Sequence, residues 1–153
     1  MTPRRLLGIV LILSVGSGSM ADSGGALNPS VKTFLKTQKL ISVATQRANG
    51  DWSRPAPIWF TYEGEAVYFI TAPTSFKARR IRRGSPVLVW LDEKREPAFS
   101  GETQIVTDPE VLDRINAAYK RKYWVAWLTY WAMPLAGRVQ AGNMVAVRVT
   151  PSR

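Results

Sequence analysis

Six short segments of the chain have the composition of β-strands, and tight turns separate several of them. Val, Ile, Thr and aromatic residues, which fit a pleated and half-buried surface, are concentrated in these segments. The stretches "ANGD" (48–51) and "EGE" (63–65) are typical of tight hairpin turns. Because parallel strands need crossovers of a dozen or more residues, strands joined this closely favour an antiparallel barrel, closed or nearly closed. We therefore predict a mainly β domain with short helices.

Turn and capping residues indicate where the predicted helices and strands begin and end. Asn28 and Asp108 are suitable helix caps, and each precedes a proline that suits the first helical position. The predicted helices span residues 28–38, a part of 74–86, 108–123 and, as a continuation or restart, 124 to Pro134. The predicted strands span residues 39–47, 52–62, 66–71, 85–93, 97–107 and 138–151, the last with a bulge at Gly142.

The second predicted strand contains Pro55 and Pro57 in its first half. Residues two apart in a strand direct their backbone groups to the same edge, so both missing N–H groups lie on one side. Proline is confined to strand positions that need no ladder hydrogen bond. This part of the strand is therefore expected to be an edge or to border a ligand.

The chain contains no cysteine and no histidine, and its net charge is +10. Thiol nucleophiles, disulfides, thiolate metal sites and a Ser-His-Asp triad are therefore excluded. The 11 acidic residues show no D-x-D spacing, and no histidine or cysteine is present to join them, so we expect no metal site. The positive charge favours anionic partners. An enzyme of this composition is expected to use a bound organic cofactor for its chemistry.

Residues 1–21 have the three-part layout of a secretory signal: the basic start "MTPRR", the apolar run "LLGIVLILSV" and small residues at Ser19 and Ala21. The apolar run is short for a transmembrane helix. We expect a signal peptide or N-terminal hydrophobic segment over 1–21, a flexible linker over 22–28 and the domain over 29–153. The protein is then exported, periplasmic or membrane-associated; if translation starts at Met20, it is cytoplasmic.

The stretch "TSFKARRIRRGSP" (74–86) places five basic residues within seven positions. Helical spacing puts Lys77, Ala78 and Ile81 on one side, Arg79, Arg82 and Arg83 on the other, and Arg80 at the border. Thr74 and Ser75 precede the first turn, where free N–H groups and the helix dipole favour an anion. The pattern predicts a phosphate site at Ser75 and Lys77. The alternative is a buried lysine stem with its amine in solvent, beside solvated arginines.

Residues 41–91, "ISVATQRANGDWSRPAPIWFTYEGEAVYFITAPTSFKARRIRRGSPVLVWL", resemble the flavin-binding split-barrel superfamily, which includes the pyridoxamine 5′-phosphate oxidases and the deazaflavin-dependent reductases. The shared pattern is a strand, an Asn-Gly turn, a strand entered with Arg-Pro, and then S-x-K-x-R-x-I-R before a Pro-Val strand. The stretch "FSGETQIVTDPE" (99–110) adds a strand with a central glycine and a helix start. The resemblance covers roughly residues 30–150.

The resemblance implies a six-stranded antiparallel split barrel that forms a homodimer, with the cofactor in a groove between two barrels. It implies FMN, or alternatively a deazaflavin, in an oxidoreductase that transfers hydride to or from a small-molecule substrate. The matching cofactor contacts are Arg54, Pro55, Ala56 and Pro57 along the flavin, Ile70 and Thr71 at the end of the third strand, Ser75 and Lys77 at the phosphate, and Arg79 and Arg80 as helpers. Two departures, Phe76 for an arginine and Trp59 for a substrate-side lysine, leave the substrate and the catalytic residues open.

In the stretch "YWVAWLTYW" (123–131), aromatic and apolar residues recur at helical spacing. Those on one face are Trp124, Trp127, Leu128 and Trp131. The face suits core or dimer packing, a lid over the flavin, or a membrane-interface belt beside the basic residues 120–122.

Two other classes of function remain open from the sequence. One is a non-catalytic split-barrel protein of the cell envelope that binds a cofactor or ligand. The other is a basic nucleic-acid binder, but no RNA- or DNA-binding module is present, so we expect no specific nucleic-acid partner. Membrane contact is compatible with the sequence and is not required by it.

Overall fold

The computed structural model describes residues 26–92, 94–124 and 134–152. In this part of the chain there are four helices, α1 Pro29–Thr37, α2 Phe76–Arg82, α3 Pro109–Lys122 and α4 Leu135–Gln140. The strands are β1 Leu40–Thr45, β2 Ala56–Glu63, β3 Ala66–Thr71, β4 Val87–Trp90, β5 Phe99–Val106 and β6 Val145–Ser152. No helix among these residues is long and apolar enough to cross a membrane.

The strands form a closed antiparallel barrel in the order β1-β2-β3-β6-β5-β4. The predicted six-stranded antiparallel barrel with short helices is therefore confirmed. Its interior is filled by aliphatic and aromatic side chains, with Phe60, Phe69 and Val147 fully buried. A second apolar cluster, around Leu112 and Ile115, joins α3 to the outer face of β3 and β6. The apolar side chains of α3 recur at helical spacing, and this face attaches the helix to the barrel.

Strand β2 changes its partner halfway along its length. Its first half, Ala56 to Trp59, pairs with β1, and its second half, Phe60 to Glu63, pairs with β3. In the described part of the chain, the β3-facing edge of the first half therefore has no strand partner. Pro57 lies on this edge, because its backbone groups point the same way as those of Trp59, whose carbonyl faces β3 and α3. The predicted edge is confirmed for Pro57, whereas Pro55 lies just before the strand.

Two tyrosine hydroxyls from α3 end the two ladders of β2. Leu40 pairs with Trp59, so Lys39 and Phe60 would form the next pair of β1 and β2. There the Tyr123 hydroxyl lies 2.7 Å from the Lys39 carbonyl oxygen and 2.8 Å from that of Phe60, and it accepts the Phe60 N–H at 2.9 Å.

On the opposite edge of β2, the Tyr119 hydroxyl donates to the Trp59 carbonyl at 2.9 Å and lies 3.4 Å from that of Tyr68. Burial raises the pKa of Tyr123 to about 12 and that of Tyr119 well above its usual value, so both hydroxyls stay protonated at ordinary pH. The rings of Trp59 and Tyr123 also stack at 4.8 Å. The backbone groups left unpaired by the break in β2 are thus satisfied by one helix.

The predictions for the start of β2 and for the C-terminal region need correction. The second strand begins at Ala56 and not at Trp52, which makes only an isolated bridge to Gln46. The predicted strand 138–151 is wrong at its start, because residues up to Gln140 belong to α4 and β6 begins at Val145.

The burial of Leu135 and the backbone conformation of Gly142 explain why helix α4 forms where a strand was predicted. Leu135 is fully buried in the cluster around α3, so the segment gains more by packing as a helix than by extending the barrel. Gly142 does not form a bulge. With φ of 74° it ends α4, where its N–H bonds the Val139 carbonyl and the Asn143 N–H bonds that of Arg138.

At the N-terminal side, Leu27 is buried with the barrel core although it lies in the stretch expected to be a linker. Asn28 caps α1 through its side chain, as expected. Residues 1–25, which contain the predicted signal, and residues 125–133 lie outside the described part of the chain.

Lys122, at the end of α3, has its ammonium nitrogen 3.4 Å from the centre of the Phe60 ring. The Leu35 carbonyl oxygen, 3.5 Å away, is a distant acceptor. Burial lowers the pKa of Lys122 from 10.5 to about 8. The attraction of the ring for the cation compensates part of the lost hydration.

We predict that Tyr123→Phe lowers the free energy of unfolding by about 1–3 kcal/mol, because the buried N–H and carbonyl of Phe60 lose their partner while the ring is kept. Urea unfolding followed by tryptophan fluorescence measures the change. A loss below about 0.5 kcal/mol would show that water or another group replaces the hydroxyl without cost.

We also predict that the wild-type protein gains stability relative to Lys122→Met as the pH rises from about 8 to 10.5. In this range the unfolded chain keeps the Lys122 proton that the folded chain has lost, so rising pH favours folding. The expected gain is about 1 kcal/mol, since the side chain is half exposed. Urea unfolding at a series of pH values tests this, and parallel curves for the two proteins would contradict it.

Candidate functional site

The open edge of β2 forms one wall of the candidate site. Arg54 and Pro55 are exposed just before the strand, and Ala56 and Pro57 begin it with β1 as their partner on the other edge. Because proline lacks an N–H, this edge is a poor template for pairing with a further strand. The edge remains accessible to a ligand, which can contact the backbone carbonyls and the proline rings here.

The end of β3 lies across this opening. Ile70 and Thr71 pair with Ala146 and Val145 of β6, and neither has a recorded partner in β2. Both are half-buried. The Thr71 and Ser75 hydroxyls lie 2.9 Å apart, and the Ser75 hydroxyl accepts the Ala78 N–H at 3.0 Å. Ser75 is therefore the N-cap of α2, and its link to Thr71 fixes the start of this helix to the end of β3.

The two sides of α2 differ as the sequence predicted. Ala78 and Ile81 are buried against the barrel, and Lys77 is half-buried on the same side. Arg79, Arg82 and Arg83 are exposed. Of the two hydroxyl residues that precede the helix, Ser75 caps it and Thr74 is exposed.

Lys77 is a half-buried cation without a counter-charge. Burial, and next to it the positive charge of Arg80, lower the pKa of its ammonium group. Among the residues that the structure describes, none forms a hydrogen bond or ion pair with Lys77. A partly desolvated ammonium beside a second cation is unfavourable unless an anion is bound nearby.

Arg80 connects α2 to the end of β1. Its guanidinium donates to the hydroxyl of the fully buried Thr45 at 3.2 Å. The Thr45 N–H in turn bonds the Ser53 hydroxyl at 3.0 Å, directly before Arg54. These contacts couple the position of the basic helix to the segment that leads into the open edge of β2.

The exposed arginines have different surroundings. The Arg79 guanidinium lies 4.6 Å from the centre of the Phe76 ring, which is itself 67% exposed. Arg82 donates to the Pro73 carbonyl at 2.9 Å. The structure thus groups Lys77 and Arg80 near the barrel and leaves Arg79, one of the two predicted helpers, on the outer side.

Sequence reasoning did not identify Thr45, Tyr119 or Tyr123. The two tyrosines are four residues apart on the apolar face of α3, so their shared direction is visible in the sequence, but not the backbone groups that they meet. Thr45 gives no such signal, since a threonine at the end of a strand is common. Trp124 is 64% exposed, so it is not part of the core of the described chain. Trp127, Leu128 and Trp131 lie outside the described residues.

The described residues contain no group of three or more acidic side chains that could hold a metal ion. What they offer is an open strand edge with apolar and backbone groups, two hydroxyls and two inward cations. This combination suits a ligand with a flat ring and an anionic end, such as a phosphorylated ring cofactor.

Comparison with known protein families identifies the family of this chain. Residues 27–153 match the family described as pyridoxamine 5′-phosphate oxidase. No curated protein matches the chain significantly.

Several solved structures share the fold at low sequence identity. A protein from Listeria innocua described as a pyridoxamine 5′-phosphate oxidase is 12% identical, with a TM-score of 0.60 over 81% of this chain and 92% of that one. HutZ, a haem storage protein from Vibrio cholerae, is 16% identical, with a TM-score of 0.60 over 84% and 92%. An FAD- and haem-binding protein from Mycobacterium smegmatis is 17% identical, with a TM-score of 0.59 over 82% and 67%.

Proposed function

Because the chain belongs to the pyridoxamine 5′-phosphate oxidase family, we propose that it is an oxidoreductase that binds FMN or a deazaflavin and transfers hydride to or from a small molecule. The observation that carries this proposal is Lys77, a half-buried cation with no counter-charge beside Arg80. The family match supports a flavin-type cofactor, whose phosphate would supply a counter-charge to Lys77.

The chemistry of the donor groups fits the phosphate of such a cofactor. Lys77 supplies a compact positive charge, and Arg80, held by Thr45, supplies further N–H donors and a second charge. The Ser75 and Thr71 hydroxyls lie at the start of the same helix. A bound phosphate would offset the repulsion between Lys77 and Arg80 and would give the Lys77 ammonium a charge-assisted hydrogen bond.

The open edge of β2 fits the ring system. Arg54 to Pro57 present a strand edge with no partner on the β3 side, and Ile70 adds a half-buried apolar side chain across the opening. A planar ring can pack on apolar groups while its polar atoms meet backbone groups. The prolines keep this edge free of a competing strand.

When bound, the flavin or deazaflavin supplies the hydride chemistry. The residues of the chain then need only bind, orient and shield the reacting groups, a task that requires neither histidine nor cysteine. Both residues are absent from the chain. Some structurally similar proteins are described as binding haem. Because histidine and cysteine are common haem ligands, their absence leads us to propose a flavin here in preference to haem.

The direct test is a titration of the purified protein with FMN and, separately, with a deazaflavin, followed by absorbance and by quenching of cofactor fluorescence. We expect saturable binding of one of them in the micromolar range or tighter. Absence of binding of both at tens of micromolar would refute the proposal. Binding without any hydride transfer to added acceptors would instead favour a non-catalytic cofactor carrier.

Lys77→Ala should weaken cofactor binding by about 1–3 kcal/mol, or about 5- to 150-fold in Kd, because a charge-assisted contact to the phosphate is lost. Arg82→Ala is the matched control: it removes one positive charge from the same helix on the exposed side. We expect the control to bind nearly as well as the wild type. Equal losses in both variants would indicate a general charge effect and would contradict a phosphate site at Lys77.

A further inference from the structure

A second basic feature lies at the other end of α2. The turn after β1 and the turn that ends α2 enclose a groove of about 230 Å³. Three of the side chains that line it are Arg47, Arg80 and Arg83, and no acidic residue lines it. Arg47 lies far from α2 in sequence, so this concentration of charge arises only in the folded chain.

Arg47 and Arg83 have no carboxylate partner in the described part of the chain, where the ion pairs join Lys32 to Glu65 and Arg121 to Glu63. Asp51 belongs to the same turn as Arg47, but it does not line the groove, and its carboxylate accepts a hydrogen bond from the Asn49 side chain at 2.9 Å.

The hydrogen bond from Arg80 to the Thr45 hydroxyl orients the guanidinium and uses only one of its nitrogens. The groove therefore holds three permanent positive charges and no compensating negative charge, which is an arrangement that attracts an anion.

The two turns that form the groove are held together by hydrogen bonds. The Gln46 N–H bonds the Ser85 hydroxyl at 2.8 Å, and the Gln46 side chain bonds the Gly50 carbonyl at 2.9 Å. The Ser85 N–H bonds the Arg80 carbonyl at 3.1 Å. Gly84, with φ of 88°, makes the sharp turn out of α2. A scaffold ordered in advance reduces the entropy that binding must overcome.

We propose that this groove is a second anion site, which shares Arg80 with the Lys77 site and uses Arg47 and Arg83 to bind a small molecule carrying a phosphate or diphosphate group. Guanidinium groups match phosphate oxygens with paired N–H donors, which a single ammonium cannot do. The volume is below the range of about 300–1,000 Å³ typical of drug-sized ligands, so the groove takes a phosphate group with few further atoms. The proposal does not depend on which cofactor the protein binds.

The test is calorimetric titration of the full chain with inorganic diphosphate at constant ionic strength. The wild type should bind saturably, and Arg47→Ala and Arg83→Ala should each weaken binding at least about tenfold, as expected for one lost charge-assisted contact. Arg79→Ala is the control, because it removes the same charge from the same helix outside the groove. Absence of saturable binding at millimolar diphosphate, or an equal loss in Arg79→Ala, would overturn the proposal.

The same variants separate this site from the cofactor site. Titrated with FMN or a deazaflavin, Arg47→Ala and Arg83→Ala should bind like the wild type, whereas Lys77→Ala should lose cofactor affinity and keep diphosphate binding. If the Arg47 and Arg83 variants weaken cofactor binding as much as Lys77→Ala does, the groove is part of the cofactor site and the inference is wrong. If no cofactor binds to any variant, only the oxidoreductase proposal fails. Both arginines are exposed, and thermal unfolding of each variant checks that it folds.

Discussion

The break in β2 between Trp59 and Phe60 is the constraint on which the rest of the structure depends. A strand that changes partners halfway leaves backbone groups unpaired on both of its edges, and a buried unpaired group costs about 1–3 kcal/mol. The Tyr119 and Tyr123 hydroxyls meet these groups from the two sides. This explains why α3 packs where it does: its apolar face covers β3 and β6 while its last turns complete the ladders of β2. The barrel therefore remains closed, although β2 pairs with β1 and with β3 over different halves of its length.

The same break creates the opening at which the candidate site lies. Before Phe60, β2 has no pairing with β3, so the start of one strand and the end of the other lie side by side at the open edge of the sheet. Helix α2 follows directly from β3 through the Thr71–Ser75 contact, and Arg80 ties it to β1. The backbone edge, the apolar side chain and the cations come from different parts of the chain, and the Thr71–Ser75 and Arg80–Thr45 contacts connect the elements that carry them. The proposed hydride transfer would need neither histidine nor cysteine, because the cofactor would supply the chemistry and the residues of the chain would bind and orient it.

The arginines of helix α2 have different surroundings because they lie on different sides of the helix. Its arginines are equivalent in charge, yet their contacts differ. Arg79 and Arg80 both lie over the exposed Phe76 ring, but only Arg80 also reaches a buried threonine, and Arg82 bonds a nearby carbonyl. Lys77 differs from all of them because it is partly desolvated without a partner. Helical spacing was sufficient to predict which side each residue would take, since the buried side is marked by Ala78 and Ile81. The predicted C-terminal strand failed for the opposite reason: Val and Gln near Arg138 suit a strand locally, and only the burial of Leu135 against α3 makes a helix the better solution.

The sequence by itself determined the class of fold, the positions of most strands and helices, the proline edge and the inward direction of Lys77. These features follow from turn chemistry, side-chain periodicity and capping. Because these effects act over a few residues, short stretches of sequence are enough to predict them. Only the tertiary structure decided that tyrosines four residues apart would end two different ladders, that Thr45 would hold Arg80, and that Arg47 would join Arg83 in one groove. Each of these contacts joins residues far apart along the chain. Their geometry depends on the register of the closed barrel, which no local segment specifies alone.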